Sequence, residues 1–213
     1  MKRLPPPLLA LSPGDLDELR AFGDFLARVD AALAAGLRGI LLRELELDDA
    51  VHLRLASELR ARLDRLEAGA GWLGVHDRVH VALAAGADAI HLGFRSLASE
   101  RVASITADKL AIGLSTHAFD DPCDWSGADY IFHGPVRATP SKNELVVAIG
   151  TEGLERAVLQ TDCPIWALGG VRPEDVRGVM ASGARGVAAL SGILGCTDPG
   201  GATRAYLGEG LEG

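Results

Sequence analysis

Three cysteines, Cys123, Cys163 and Cys196, are all that 213 residues contain, and they are widely spaced and odd in number. They make neither a disulfide framework nor a metal-binding spacing, and such sparing use suits a reducing cytosol. No apolar run is long enough to cross a membrane, and Lys2 and Arg3 are not followed by the apolar stretch of a signal peptide. Positive charge is also scarce: 21 Lys and Arg stand against 29 Asp and Glu, for a net charge of -8. That excludes a general nucleic-acid binder but leaves room for a local basic pocket. The chain has no Gly-x-Gly-x-x-Gly after its first apolar run, so little supports a doubly wound dinucleotide-binding sheet. These absences predict a cytoplasmic protein without nucleic-acid or membrane partners, and a homo-oligomer is left open.

What the chain does have is glycine, 26 residues of it, placed repeatedly after short apolar runs. Ile165–Leu168 is closed by Gly169 and Gly170, and Val187–Leu190 by Ser191 and Gly192. Between them Pro173, Glu174 and Asp175 suit the first turn of a helix, with Val176, Val179 and Met180 as its apolar face and Gly183 at its end. This is a strand–helix–strand unit with strands apolar on both faces, the mark of a covered parallel sheet. Earlier strands are predicted at 8–11, 39–42, 72–75, 89–92, 110–114 and 129–132, with helices over 25–35, 48–66, 77–85, 99–107 and 151–160. Residues 14–23 read as a loop or short helix, 118–126 as irregular, and 192–207 as a glycine-broken final helix. Eight strands at roughly 25 residues per unit predict a single α/β domain over 1–213, a (β/α)8 TIM barrel, with 1–7 and 208–213 as frayed tails.

In such a barrel the chemistry sits where strands meet their following helices. Arg43 and Glu44 fall there after the second strand, His76, Asp77 and Arg78 after the third, and His91, Arg95 and Ser96 around the fourth. Ser115, Thr116 and His117 follow the fifth strand, and His133, Arg137, Thr139, Ser141 and Lys142 the sixth. The loop 134–150 is long for a barrel connection, and long loops in compact domains are often functional. Some of these residues have plainer uses. Arg43 can pair with Glu44 or Asp77, Asp77 can cap a helix, and His91 and His133 read as hydrogen-bonded interior histidines. His117 lies off the apolar periodicity, where a group titrating near neutrality suits proton transfer. Hydroxyls beside Lys142, together with two glycine-closed strand ends, suit a phosphate.

The chain resembles the thiamin phosphate synthase/TenI family from the second strand to the eighth. The resemblance rests on Leu42-Arg43-Glu44, Asp77-Arg78, His91-Leu92-Gly93, Gly113-Leu114-Ser115-Thr116-His117, Gly134-Pro135-Val136 with Thr139-x-Ser141-Lys142, Leu168-Gly169-Gly170 and Gly186-Val187-Ala188. It implies a (β/α)8 barrel that binds a thiazole phosphate. Synthases of this family join a pyrimidine diphosphate to that thiazole with magnesium held by two aspartates. Here the usual Gln-x-Arg-x-Lys keeps only Arg43, with Leu41 and Leu45 in the outer places. The Asn before the first aspartate is His76, and Ser96 stands for the second aspartate, so Asp77 is the only surviving metal candidate.

The resemblance therefore implies that the diphosphate half of the site is dismantled. The thiazole-phosphate half, carried by Ser115, Thr139, Ser141, Lys142, Gly169, Gly170, Ser191 and Gly192, is kept. That pattern resembles the TenI thiazole tautomerases, which need no metal or other cofactor. It makes His117 the expected acid–base and Arg43 the expected partner of a carboxylate. Two alternatives stand beside this isomerase reading. One is a thiamin phosphate synthase, a transferase using magnesium, and the other is a non-catalytic binder of thiazole or thiamin phosphates.

Overall fold

A computed structural model describes residues 2–67, 69–138 and 147–211. Eight parallel strands close into a barrel in strict chain order, each hydrogen-bonded to its sequence neighbours, with the eighth paired to the first. They are β1 (Leu8–Leu11), β2 (Gly39–Leu42), β3 (Trp72–His76), β4 (Ala89–Leu92), β5 (Ala111–Thr116), β6 (Tyr130–His133), β7 (Ile165–Leu168) and β8 (Gly186–Ala189). The α-helices among the described residues are α1 (Glu18–Arg20), α2 (Leu26–Ala34), α3 (Asp49–Leu63), α4 (Val79–Ala84), α5 (Ser99–Thr106), α6 (Gly150–Val158), α7 (Val176–Ala181) and α8 (Pro199–Leu207). The (β/α)8 barrel is the predicted fold.

Strand alternation divides the core in two. Leu9, Leu11, Leu41, Trp72, Ala89, Ala111, Tyr130, Phe132, Trp166 and Ala188 fill the barrel interior, while Leu8, Ile40, Val75, Ile90, Ile131 and Val187 face the helices. Period-2 alternation carries the interior rows upward to Arg43, His76, His91 and Ser115 at the C-terminal mouth. Helix starts are set by short polar side chains: Asp48 accepts from the Val51 N–H at 3.0 Å, and Asp198 from Gly201 at 2.8 Å with Pro199 in the first turn.

Several boundaries differ from the sequence expectation. The segment before α2 is a short helix followed by a π-helical turn, Ala21–Phe25. The helix expected from Asp77 begins at Val79, and the glycine-broken last helix is regular only over α8. Residues 2–7, read as a frayed tail, cross the barrel floor. There Arg3 bonds Asp88 at 2.7 Å, Pro6 accepts from Trp166 Nε1 at 2.8 Å, and Pro7 accepts from the Val187 N–H at 2.7 Å. A cavity of about 420 Å³ lined by Arg3, Arg60 and Asp88 lies at this floor, not at the mouth.

Candidate active site at the barrel mouth

At the end of β2, Glu44 is 2 % exposed, and its two carboxylate oxygens accept the Gly14 and Leu16 N–H groups at 2.8 and 2.9 Å. It pins the β1–α1 loop. The plainer use open to Arg43, pairing with Glu44 or Asp77, is absent among the described residues. Instead the Arg43 backbone N–H donates to Ser12 Oγ at 2.7 Å, and its guanidinium lies over Gly14, 2.9 Å from where a Cβ would stand. Arg43 is thus a cation at the rim, half-buried, with no ion pair among the described residues.

On β3, His76 belongs to the strand itself, in register with His91 on β4. Its Nδ1 is buried without a hydrogen-bond partner, and its Nε2 lies 3.4 Å from the place a Gly93 Cβ would take. Burial lowers the His76 pKa, with Asp77 opposing and Arg43 adding to the effect. Asp77 does not cap α4. It is exposed, its backbone takes φ of +64°, and its N–H donates to the His91 carbonyl at 3.0 Å. Asp tolerates the left-handed region better than most residues, and such conformations gather at functional sites.

His91 is the interior histidine its alternation predicts, 1 % exposed, with Nε2 2.9 Å from Ser115 Oγ and Nδ1 3.4 Å from the Tyr130 hydroxyl. Burial holds its pKa well below the ordinary histidine value, and His76 and Arg43 push the same way. His133 is also buried and hydrogen-bonded, its Nδ1 2.8 Å from Thr116 Oγ1, but it faces the helix layer beside Trp125. Ser115 and Thr116 lie within β5, not beyond it, and point to opposite faces. His117 follows the strand. Its backbone N–H donates to Asp120 Oδ2 at 2.7 Å, and its Nδ1 stands 3.4 Å from the same carboxylate.

On the far side, Gly169 and Gly170 take φ of +91° and +69°, a conformation that favours glycine. The Leu168 and Gly169 carbonyls accept from Val136 and Arg137 at 3.0 Å each, which stitches the exit of β7 to that of β6. Among the described residues no backbone acceptor takes the N–H groups of Gly170, Ser191 or Gly192. Paired free N–H groups of this kind suit an anion. The seat is braced from below, where the Tyr206 hydroxyl donates to the Val171 carbonyl at 2.6 Å and sits 2.4 Å from the position of a Gly192 Cβ. Arg137 forms a two-pronged pair with Asp175, which also accepts from the Arg172 N–H at 3.0 Å. Thr139, Ser141 and Lys142 lie outside the described residues.

Direct contacts join Arg43 to the β1 loop, His91 to Ser115 and Tyr130, and Gly169 to the β6 exit. Among the described residues no direct contact joins His117 to the Gly170 or Ser191 end. The sequence reading gave no role to Tyr130, Tyr206 or Gly113. The signal for Gly113 was present: it has no turn to make, so its glycine implies a crowded neighbour.

The residues do not fit a two-carboxylate magnesium site. Ser96 Oγ is taken up in its own turn, accepting from the Gly93 N–H at 2.8 Å, and no group of three or more His, Cys, Asp or Glu able to hold a metal exists among the described residues. Asp77 stands alone.

Fold and mouth together define a class: a parallel (β/α)8 barrel whose polar side chains and free backbone N–H groups gather where the strands end. The thiamine monophosphate synthase (TMP-TENI) family model matches residues 16–193, and the chain belongs to that family. It is 35% identical over 181 residues to the thiamine-phosphate synthase of Moorella thermoacetica, covering 84% of this chain and 85% of that one. It is 38% identical over 183 residues to part of the thiamine biosynthesis bifunctional protein ThiM/ThiE of Symbiobacterium thermophilum, covering 85% of this chain and 38% of that one. Among solved structures, thiamine phosphate pyrophosphorylase from Pyrococcus furiosus superposes with a TM-score of 0.81 at 28% identity, covering 96% of each chain. Among the described residues no helix is long and apolar enough to cross a membrane.

Proposed function

We propose that this chain is a cytoplasmic enzyme of thiamin biosynthesis that holds a thiazole phosphate and moves a proton on its ring, a thiazole tautomerase. The observation that carries the reading is the unequal mouth: a histidine–carboxylate pair, His117 with Asp120, at one strand end, and Ser96, its hydroxyl held in its own turn, where a second metal carboxylate would stand beside Asp77. In this reading the N–H groups around Gly170, Ser191 and Gly192 hold the phosphate, and Arg43 holds a ring carboxylate. His117 breaks one C–H bond by taking the proton and returns it at another ring position, so nothing is consumed and no cofactor is required. Asp120 orients the imidazole and stabilises its protonated form.

The names of the relatives favour a second reading, condensation of a pyrimidine diphosphate with the thiazole phosphate. One pair of assays separates the two. The non-aromatic carboxythiazole phosphate is supplied without divalent metal and its aromatisation followed by proton NMR. The aromatic thiazole phosphate and pyrimidine diphosphate are supplied with magnesium and pyrophosphate release is measured. Metal-independent aromatisation without pyrophosphate supports the tautomerase. Magnesium-dependent pyrophosphate release establishes the synthase, and tight thiazole phosphate binding without either reaction establishes a binder.

A further inference from the structure

A serine hydroxyl 2.9 Å from an imidazole nitrogen invites the reading that the histidine is a base and the serine a nucleophile. The surroundings of His91 point the other way. Its Nδ1 faces the Tyr130 hydroxyl at 3.4 Å, and both rings are buried. Tyr130 is boxed by Trp72 and Trp166, each at 6.0 Å and nearly edge-on, and by Phe132 at 5.3 Å. Among the described residues the His91 nitrogen is the only hydrogen-bond partner of this phenol. The arrangement is built into the sequence. A Cβ on Gly113 would stand 2.2 Å from Tyr130 Cζ and 2.5 Å from His91 Nδ1, so glycine is what lets the two side chains meet.

Proton counting then fixes the tautomer. A phenol is a good donor, and a neutral imidazole has one N–H and one acceptor nitrogen. If Nδ1 carried the proton, two donors would face each other and the phenolic hydrogen would be buried without an acceptor, at a cost of about 1–3 kcal/mol. If Nδ1 is the acceptor, Tyr130 donates to it, Nε2 carries the proton and donates to Ser115 Oγ, and every group is satisfied. The serine hydrogen is then left over.

We propose that His91 is a positioning residue that holds Ser115 as a dedicated hydrogen-bond donor toward the mouth, with Tyr130 setting the tautomer from beneath. Ser115 therefore meets an acceptor atom of the ligand, a phosphate or carboxylate oxygen or an unprotonated ring nitrogen, and is not a nucleophile. The ligand part of this rests on the proposed thiazole phosphate function, and the tautomer part does not.

The test uses the full-length protein. Long-range proton–nitrogen NMR of ring-labelled histidine distinguishes the two neutral tautomers, and loss of one signal set in His91→Gln assigns the residue. The expected result is Nε2–H. The thiazole carboxylate phosphate is then titrated by calorimetry into wild type, Ser115→Ala, Tyr130→Phe and the double variant. Each single change is expected to weaken binding about tenfold, the worth of one hydrogen bond to a charged group, and the double variant no further than Ser115→Ala alone. An Nδ1–H tautomer in the wild type, or fully additive losses in the double variant, overturns the proposal. Failure of the wild type to bind the thiazole phosphate, with the Nε2–H tautomer in place, removes the functional reading and leaves the role of His91 standing.

Discussion

Replacing His117 by Ala or Asn removes the one mouth histidine that is neither inside the barrel nor against the helix layer, and the expected loss in tautomerase rate is about 100-fold or more. The readout is kcat, with ligand affinity as control, because the imidazole acts on the proton and not on the phosphate. Near-normal turnover rejects the assignment. Asp77 offers the opposite test. Asn tolerates the left-handed φ of +64° as Asp does, so Asp77→Asn keeps the backbone and removes only the charge. Tautomerase activity is expected to survive within about threefold, well short of the loss that removing an acid–base group causes. Magnesium-dependent pyrophosphate release would disappear if Asp77 were a metal ligand. Glu44 shows how a polar residue at a strand end serves structure. With two buried N–H groups resting on its carboxylate, Glu44→Ala is expected to destabilise the protein by about 3 kcal/mol, and Glu44→Gln, which keeps one acceptor, by less. Urea unfolding midpoints check both.

At the scale of elements, the loops closing the barrel work as braced pairs. The exits of β6 and β7 are stitched by backbone bonds, and the turn after β8 leans on α8 through Tyr206, a phenol 1 % exposed whose pKa burial and nearby carboxylates push up to about 12. Tyr206→Phe keeps the ring that Gly192 accommodates and removes the bond to the Val171 carbonyl. A loss of about 1 kcal/mol is expected, with a fall in Tm of roughly 2–4 °C and weaker phosphate binding measured by calorimetry. Unchanged phosphate affinity would show that α8 does not brace the seat. Strands at 8–11, 39–42, 89–92 and 165–168 were legible in the sequence because short, largely apolar runs closed by small or polar residues leave little choice. The end of β5 was not, since Ser115 and Thr116, beyond the expected 110–114, look like a loop until their partners Phe132 and His133 are known. Asp77 was misread as a cap because the same residue type serves both a helix start and a left-handed turn. The His91–Tyr130 pair was invisible because it joins neighbours 39 residues apart through a space only a glycine vacates.

For the whole molecule, three histidines whose pKa values burial lowers, His52, His76 and His91, bias stability against acid in the same direction. His52 is fully buried, both ring nitrogens lack hydrogen-bond partners, and its pKa is lowered to about 4 from an ordinary 6.5. Burial is the main cause. Arg78, His80 and His76 add to it, and Asp49 opposes it while pairing with Arg78 at 2.7 Å and His80 at 3.0 Å. His76 and His91 are lowered as well. A histidine whose folded pKa lies below its unfolded one takes up its proton more readily in the unfolded chain. Its neutral burial is therefore fully stabilising above the unfolded value and is lost as pH falls toward the folded one. For His52 that window runs from 6.5 down to about 4, and the loss amounts to up to about 3 kcal/mol. Asp175 does not confuse the measurement. Burial raises its pKa, but the bonds from Arg137 and the Arg172 N–H outweigh that and hold it below 3.8, so its contribution is present above 3.8 and lost only at lower pH. Thermal melts in steps from pH 7 to pH 4 are expected to show a falling Tm in the wild type. His52→Leu fills the same buried site without two orphaned nitrogens, so it is expected to raise Tm at pH 7 and flatten the slope, leaving the part due to His76 and His91. A slope unchanged in His52→Leu would place the acid sensitivity of the barrel elsewhere than in the helix layer behind β3.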